Sequence, residues 1–326
     1  MVRISRRALG VHGLAGAMAF ATTGSLAQGA WPTRPITLVV GFAAGSSTDI
    51  AARILAERLS ETLGQRVVVE NKPGAASRIA TDAVARAPKD GYTLMVGTIA
   101  NVIGELLAPG AKTFSRELMP VALFAGVPNI LTVPSASGIT TVPALLKAAR
   151  GAPEPLTYGS PGIGTAPHMS GELLAQLAGV KLTHVPYNGS AQAVTDLLAG
   201  RISMMFTPAA TALQHVQSGA LKALATTARD RSPIAPELPT VAEAGLAGFD
   251  TSLWFGVVAP AGTPADIVAR LAAAVDEAGR SEALRTQFLA QGIEVLSGGP
   301  DAFRDFIAAE NRRWEVVIDK AGLAKR

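Results

Sequence analysis

Short apolar, β-branched runs alternate along this chain with longer stretches whose apolar residues recur every three or four positions. Ile36-Thr37-Leu38-Val39-Val40 is a run ended by Gly41, the pattern of a buried strand. Ile50, Ile54, Leu55, Leu59 and Leu63 then fall at helical spacing, with Arg53, Glu57, Arg58 and Glu61 between them and Gly64 as the stop. Val67-Val68-Val69 predicts a second strand, 79–87 a helix halted before Pro88, and 92–96 a third strand. The order βαβαβ implies a parallel sheet with helices on its faces.

A charge-free run, 118–146, follows. Pro120, Pro128, Pro134 and Pro143 interrupt it, and each proline removes a backbone donor, so it reads as strands at 121–125 and 130–133 and not as a membrane span. The alternation then resumes, with strands predicted at 156–158, 182–185, 202–206 and 220–225 and helices at 167–177, 191–198 and 209–217. The tail reads as a strand at 252–258 and helices at 264–278, 282–291 and 300–321. A tail so helical has no sheet of its own and is expected to pack back on the first domain. The expected fold is therefore α/β with two parallel-sheet domains, 28–127 plus 251–326 and 128–250, joined by two crossings with a ligand cleft between them.

Open α/β sheets bind ligands at the carboxyl ends of their strands, and clefts between domains are favoured sites. Three loops there are rich in small residues: Gly41-Phe42-Ala43-Ala44-Gly45-Ser46-Ser47-Thr48-Asp49, Gly159-Ser160-Pro161-Gly162-Ile163-Gly164-Thr165, and Pro186-Tyr187-Asn188-Gly189-Ser190. Each enters a helix, whose first amides are unpaired and carry partial positive charge, so each is a potential anion cradle. Their recurrence points to one anionic group held from several sides. Asp49 is either a cap accepting from backbone N–H groups or an acceptor for a ligand hydroxyl, ammonium or water. Tyr187 is either a packed ring or a phenol donating into the cleft.

Composition narrows the chemistry. The 326 residues contain no cysteine, which excludes disulfides, thiolate metal sites and cysteine nucleophiles. Charged residues make up 17% and apolar ones 48%, the reverse of a disordered chain. The net charge of +4 resides mostly in Arg3, Arg6 and Arg7, and no basic block or aromatic platform follows, so nucleic acid is not an expected partner. Arg6-Arg7, an apolar stretch near 14–21 and Ser25-Leu26-Ala27 read as a twin-arginine export signal over 1–27, cleaved near Ala27 to leave a periplasmic protein.

Enzyme signatures fail. Gly162-Ile163-Gly164 begins a dinucleotide fingerprint, but Pro167 stands at its third glycine position. Tyr158 occupies the glycine position that a nucleophile elbow at Ser160 needs. His168, His184 and His215 lack zinc spacing, so neither metal nor cofactor is expected. His168, beside the glycine cradle, reads as polar lining or helix-start packing. The rival reading is an exported α/β hydrolase or isomerase using Ser160, His168 and Asp49.

At these loops the sequence resembles the Bug family, the extracytoplasmic solute-binding receptors of tripartite tricarboxylate transporters. The resemblance rests on Trp31-Pro32 through Pro35-Ile36, Gly45 with Asp49-Ile50-Ala51-Ala52-Arg53, Val69-Glu70-Asn71-Lys72-Pro73-Gly74-Ala75 and Asp90-Gly91-Tyr92-Thr93-Leu94. It continues through Gly159 to Gly164, His168, His184-Val185-Pro186-Tyr187-Asn188-Gly189, Leu224-Ala225, Pro239-Thr240-Val241-Ala242-Glu243-Ala244-Gly245 and Trp254. It implies a monomeric, non-catalytic periplasmic receptor of the type II binding-protein fold that closes on a small carboxylate. Its implied partners are membrane transporter subunits or a sensor kinase. The implied ligand contacts fall on Phe42, Ala43, Gly45, Ser46, Ser47, Thr48 and Asp49; on Ser160, Gly162, Gly164, Thr165 and His168; on Tyr187, Gly189, Ser190 and Gln192; and on Thr207. Three positions depart from the family pattern: Ser46 replaces a paired glycine, Ala76-Ser77-Arg78 follows Gly74-Ala75 where a further glycine is common, and Thr207 stands where an acid is frequent. The last change favours a plain carboxylate over an amino-acid ammonium.

Overall fold

In the computed structural model, residues 31–108, 113–187 and 189–323 are described. The export-signal reading of 1–27 and Asn188 lie outside them. Two sheets carry the chain. The first has six strands: β1 (Ile36–Val40), β2 (Val67–Asn71), β3 (Thr93–Thr98), β4 (Leu118–Val127), β10 (Leu253–Pro260) and β11 (Glu294–Gly298), in the order β11-β4-β10-β3-β1-β2. The second has five: β5 (Asn129–Pro134), β6 (Leu156–Ser160), β7 (Leu182–Pro186), β8 (Met204–Pro208) and β9 (Leu221–Thr226), in the order β7-β6-β8-β5-β9. Both belong to one unit, Pro32–Arg326.

Both sheets are mixed where the sequence pattern predicts parallel ones. β1, β2 and β3 run parallel, as do β6, β7 and β8, but β10 is antiparallel to β3 and β4, and β5 is antiparallel to β8 and β9. The reason is the double crossing: β10 returns from the second sheet and enters the first in reverse. Register fixes the consequence. Thr98 lies opposite Phe255, and Val127 opposite Leu253, so both crossings leave the first sheet from the edge where β1, β2 and β3 end. Asn129 lies opposite Pro208 and Ile130 opposite Thr226, so they enter the second sheet where β6, β7 and β8 end. With only Pro128 between β4 and β5, the loop-bearing edges of the two sheets are brought together.

The helices are α1 (Ser47–Leu63), α2 (Arg78–Ala85), α3 (Ile99–Leu107), α4 (Thr113–Glu117), α5 (Val142–Gly151), α6 (Ala166–Ala178), α7 (Ser190–Leu198), α8 (Ala209–Gln217), α9 (Ala265–Arg280), α10 (Glu282–Ala290) and α11 (Pro300–Ala321). Among the described residues, no helix is long and apolar enough to cross a membrane. α11 buries Phe303, Ile307, Trp314 and Ile318 on one stripe, each contributing about 1.5–3 kcal/mol. It packs on α3 beside the first sheet and on α6 beside the second. One apolar core consequently runs from Val39 and Met95 through Ile103 to Met169, Leu174 and Phe206. Glu310 is buried within it, accepting from the indole N–H of Trp254 (3.1 Å) and Trp314 (3.0 Å). Burial raises its pKa against the opposing pull of Arg313 and the two indoles. Next to the second crossing, Arg313 pairs with Asp250 at 3.2 Å, while Thr251 and Ser170 of α6 share a hydroxyl contact of 2.6 Å.

Candidate functional site

In the first sheet the loop after β1 is organised by its own side chains. Ser46 caps α1, its hydroxyl accepting from the Asp49 amide. Asp49 is 2% exposed, and its carboxylate accepts from the Gly45 amide (2.9 Å), from Arg53 Nε (3.0 Å) and from Asn71 Nδ2 (2.8 Å). Asn71 also donates to the Phe42 carbonyl. Burial pushes the Asp49 pKa up, but Arg53, the Gly45 amide and Asn71 outweigh it and hold it below the ordinary value. Asp49 is thus a brace for the loop, with its acceptor capacity engaged. Ala43 and Gly45 are exposed, Phe42, Ser46 and Ser47 half-buried and Thr48 buried.

A second loop, after β2, was not among the sequence candidates. Ala75 (φ 48°), Ala76 (φ 52°) and Ser77 (φ 72°) all have left-handed backbone, which costs non-glycine residues about 1 kcal/mol or more each. Such strain persists only where the surroundings impose it. A Cβ on Gly41 would lie 1.8 Å from the Ser77 hydroxyl, so the bare backbone of the first loop makes room for the second. The buried Ser77 hydroxyl has no hydrogen-bond partner, and neither do Asn129 Nδ2 and Thr226 Oγ1 at the facing edge of the second sheet. Asn129 opens β5, Thr226 ends β9 and Ser77 closes the turn before α2; strand-end position could have nominated the first two, but none of the three lies in a glycine-rich turn.

In the second sheet the loop after β6 closes on itself. Ser160, fully buried, donates to the Gly162 carbonyl (3.0 Å) and accepts from the Gly162 amide (3.1 Å). Thr165 Oγ1 donates to the same carbonyl (2.7 Å). With the Ser160 proton directed to Gly162, the 2.7 Å contact to His184 Nε2 is made by an imidazole N–H donating to the hydroxyl. His168 Nδ1 accepts from the Gly164 amide (3.1 Å), which places its proton on Nε2, 3.8 Å from Glu172. The two imidazoles stack with centroids 4.0 Å apart and Tyr158 lies against His184. Tyr158 donates to Glu172 at 2.6 Å. Burial pushes the pKa of His168 and of His184 down to about 4, keeping both rings neutral.

The third loop lies beside the second, the Tyr187 amide donating to the Ser160 carbonyl (2.9 Å). The Tyr187 phenol donates to Asp196 (2.8 Å), so its hydroxyl is engaged within the second sheet's own layer. Desolvation, then Asp196, raises the phenol pKa to about 12. Gly189 precedes α7, Ser190 opens it and Gln192 is exposed on its first turn. Thr207 is buried, its hydroxyl 2.8 Å from that of Thr132.

A cavity of about 350 Å³ joins the two sheets' loops: Ala75, Ala76, Arg78 and Asn101 line it from the first, Ile163 from the second. Gly164 abuts α3, since a Cβ there would lie 3.3 Å from Leu107. Neither 42–49 nor 187–192 lines this cavity. A larger hollow of about 530 Å³ lies on the outer flank of the first sheet, lined by Asp276, Arg280 and Ser297, and contains no candidate loop residue. Ser160, His168 and Asp49 do not assemble a triad. Ser160 bonds to His184 and Gly162, His168 to Gly164, and Asp49 to residues of the first sheet. No group of three or more histidines and acids able to hold a metal occurs among the described residues.

Comparison with known proteins matches residues 51–323 to the family described as tripartite tricarboxylate transporter family receptor. The chain is 40% identical over 320 residues to a UPF0065 protein of the tcbD-tcbE intergenic region of Pseudomonas sp. (strain P51), covering 98% of this chain and 95% of that one. Among solved structures it is similar to R. palustris Rpa4515 with adipate, at 38% identity and a TM-score of 0.79, over 90% of this chain and 99% of the other. It is also similar to the periplasmic binding protein BugD, at 33% identity and a TM-score of 0.76, over 91% and 100%.

Proposed function

Because the chain belongs to the tripartite tricarboxylate transporter receptor family, we propose that it captures a small carboxylate between its two sheets and delivers it, unaltered, to membrane transporter subunits. The single observation that carries this reading is the cavity between the Ala75–Ala76 turn and Ile163, at facing strand-end edges. Two lobes, 28–127 plus 251–326 and 128–250, close over the ligand, hinged at Pro128 and at the 227–252 segment. Adipate bound to the similar R. palustris protein supports the ligand class. The periplasmic location of BugD supports export, for which 1–27 is the signal.

The grip comes mainly from the main-chain amides of Ile163 and Ala166, since those of Gly162, Gly164 and Thr165 donate within the loop, and closure brings the α1 start and the unpartnered Ser77, Asn129 and Thr226 groups to the ligand. Asp49, His168, Ser160 and Tyr187 act by shaping these loops. Charge-assisted hydrogen bonds contribute about 1.5–3 kcal/mol each. Micromolar binding corresponds to about 8 kcal/mol, within reach of a handful of such donors.

Thermal unfolding with adipate, malate, hexanoate and a neutral sugar tests the reading. A carboxylate present at about a hundred times its Kd stabilises by about 2.7 kcal/mol, a rise of about 5 °C or more. Stabilisation by the sugar and by no carboxylate would overturn it.

A further inference from the structure

The inter-sheet cavity is lined chiefly by aliphatic and aromatic groups, Ala75, Ala76, Leu107, Phe114 and Ile163 among them. Its polar lining residues are mostly engaged. Asn101 donates to Thr81 (2.9 Å), Thr81 donates to the Ser77 carbonyl (3.0 Å), and Glu105 accepts from the Ser115 amide (3.0 Å). Arg78 differs. Its guanidinium makes no hydrogen bond among the described residues and approaches only Asp82, at 3.9 Å, with the side chain 59% exposed.

The position of Arg78 is nonetheless fixed. It follows the three left-handed residues Ala75, Ala76 and Ser77, and Ser77 is buried against Gly41. Ile79 lies over Gly74. The strained turn therefore places on the wall of an apolar cavity a cation whose one charged neighbour among the described residues is Asp82, with the exposed side chain of Ile163 lining the same cavity. An arginine fork matches a carboxylate in a bidentate manner, while the aliphatic walls favour methylene over hydroxyl.

We propose that Arg78 determines specificity by binding the second carboxylate of an unbranched, unhydroxylated α,ω-dicarboxylate. The ligand's hydrocarbon chain lies along Ile163, Ala75, Ala76 and Leu107. This rests on the carboxylate-receptor reading above, in which main-chain donors hold the first carboxylate.

Titration calorimetry with adipate and hexanoate, which differ only in the second carboxylate, separates the two ideas. Wild-type protein is expected to bind adipate at least tenfold more tightly than hexanoate. Arg78→Gln is expected to weaken adipate binding about tenfold to a hundredfold and leave hexanoate within about twofold. Arg78→Lys, a point charge, recovers part of the preference. An unchanged melting temperature for the unliganded variants shows that folding is intact, as the exposed side chain leads one to expect. Equal loss of both ligands, a preference that survives Arg78→Gln, or equal binding of both by the wild type would each overturn the role of Arg78 alone. Binding of neither acid by the wild type would overturn this inference, and the receptor reading would fall with it only if malate too failed to stabilise the protein.

Discussion

Gly162→Val is expected to abolish carboxylate-induced thermal stabilisation while lowering the melting temperature of the unliganded protein by only a few degrees. The obstacle is conformational. Gly162 has φ 141°, and a Cβ there would meet nothing closer than the Tyr187 carbonyl at 3.7 Å. Space exists, but an L side chain does not adopt that backbone, so the chain must rotate. Rotation breaks the Ser160–Gly162 exchange of hydrogen bonds and the Thr165 contact, and with them the orientation of the amides leading into α6. Losing two charge-assisted hydrogen bonds weakens binding by about a hundredfold or more. The fold survives because the contacts that break are internal to the loop tip and the core beneath does not depend on them. Undiminished stabilisation by a ligand that the wild type binds would place the anion elsewhere.

Acidification from pH 7 to pH 4.5 is expected to lower the melting temperature by about 5–10 °C, through the histidine pair. His168 and His184 titrate near pH 4 when folded, against an ordinary value of 6.5, because burial disfavours the imidazolium. The unfolded chain therefore takes up protons first as the pH falls below 6.5, and stability declines until the folded pKa is reached. For His168 alone the shift corresponds to about 3 kcal/mol at most. The stacked rings cannot readily be charged together, and Glu172 at 3.8 Å does not reverse the effect of burial. Protonation of His168 on Nδ1 also evicts the Gly164 amide, so ligand affinity should fall only as the pH approaches 4, where the folded protein takes up that proton. Asp49, held below its ordinary pKa, loses its contribution only at lower pH and does not mimic this slope. The double variant His168→Asn/His184→Gln keeps an acceptor for Gly164 and should flatten the dependence. A slope unchanged in that variant would assign it to other groups.

Most elements are legible in the sequence because their periodicity is clean. The 36–40 run is β1, Ile50 to Leu63 lie on α1, and the predicted 300–321 helix is α11. Those that are not legible have local causes. α5 is hidden by Pro143, which breaks a helix interior but sits harmlessly in the first turn, where no amide partner is needed. α3 continues the apolar run of β3, and only the Thr98–Asn101 capping box marks the change. β11 is short and half-buried, and no alternation announces it. The candidate site follows the same logic. Glycine-rich turns expose themselves in sequence, so the Ser160–Thr165 turn is legible, as is the possibility that Asp49 only braces its loop. The Ala75–Ser77 turn is not, because its left-handed backbone is imposed by packing against Gly41, and alanines give no hint of it.

The most direct test is a crystal structure of the protein grown with adipate. The expected result is one extended molecule between Ile163 and the Ala75–Ala76 turn, with a carboxylate within hydrogen-bond distance of main-chain amides in the 162–166 segment. An adipate lodged in the outer hollow beside Arg280, or held at both ends by side chains with no main-chain amide in reach, would contradict it.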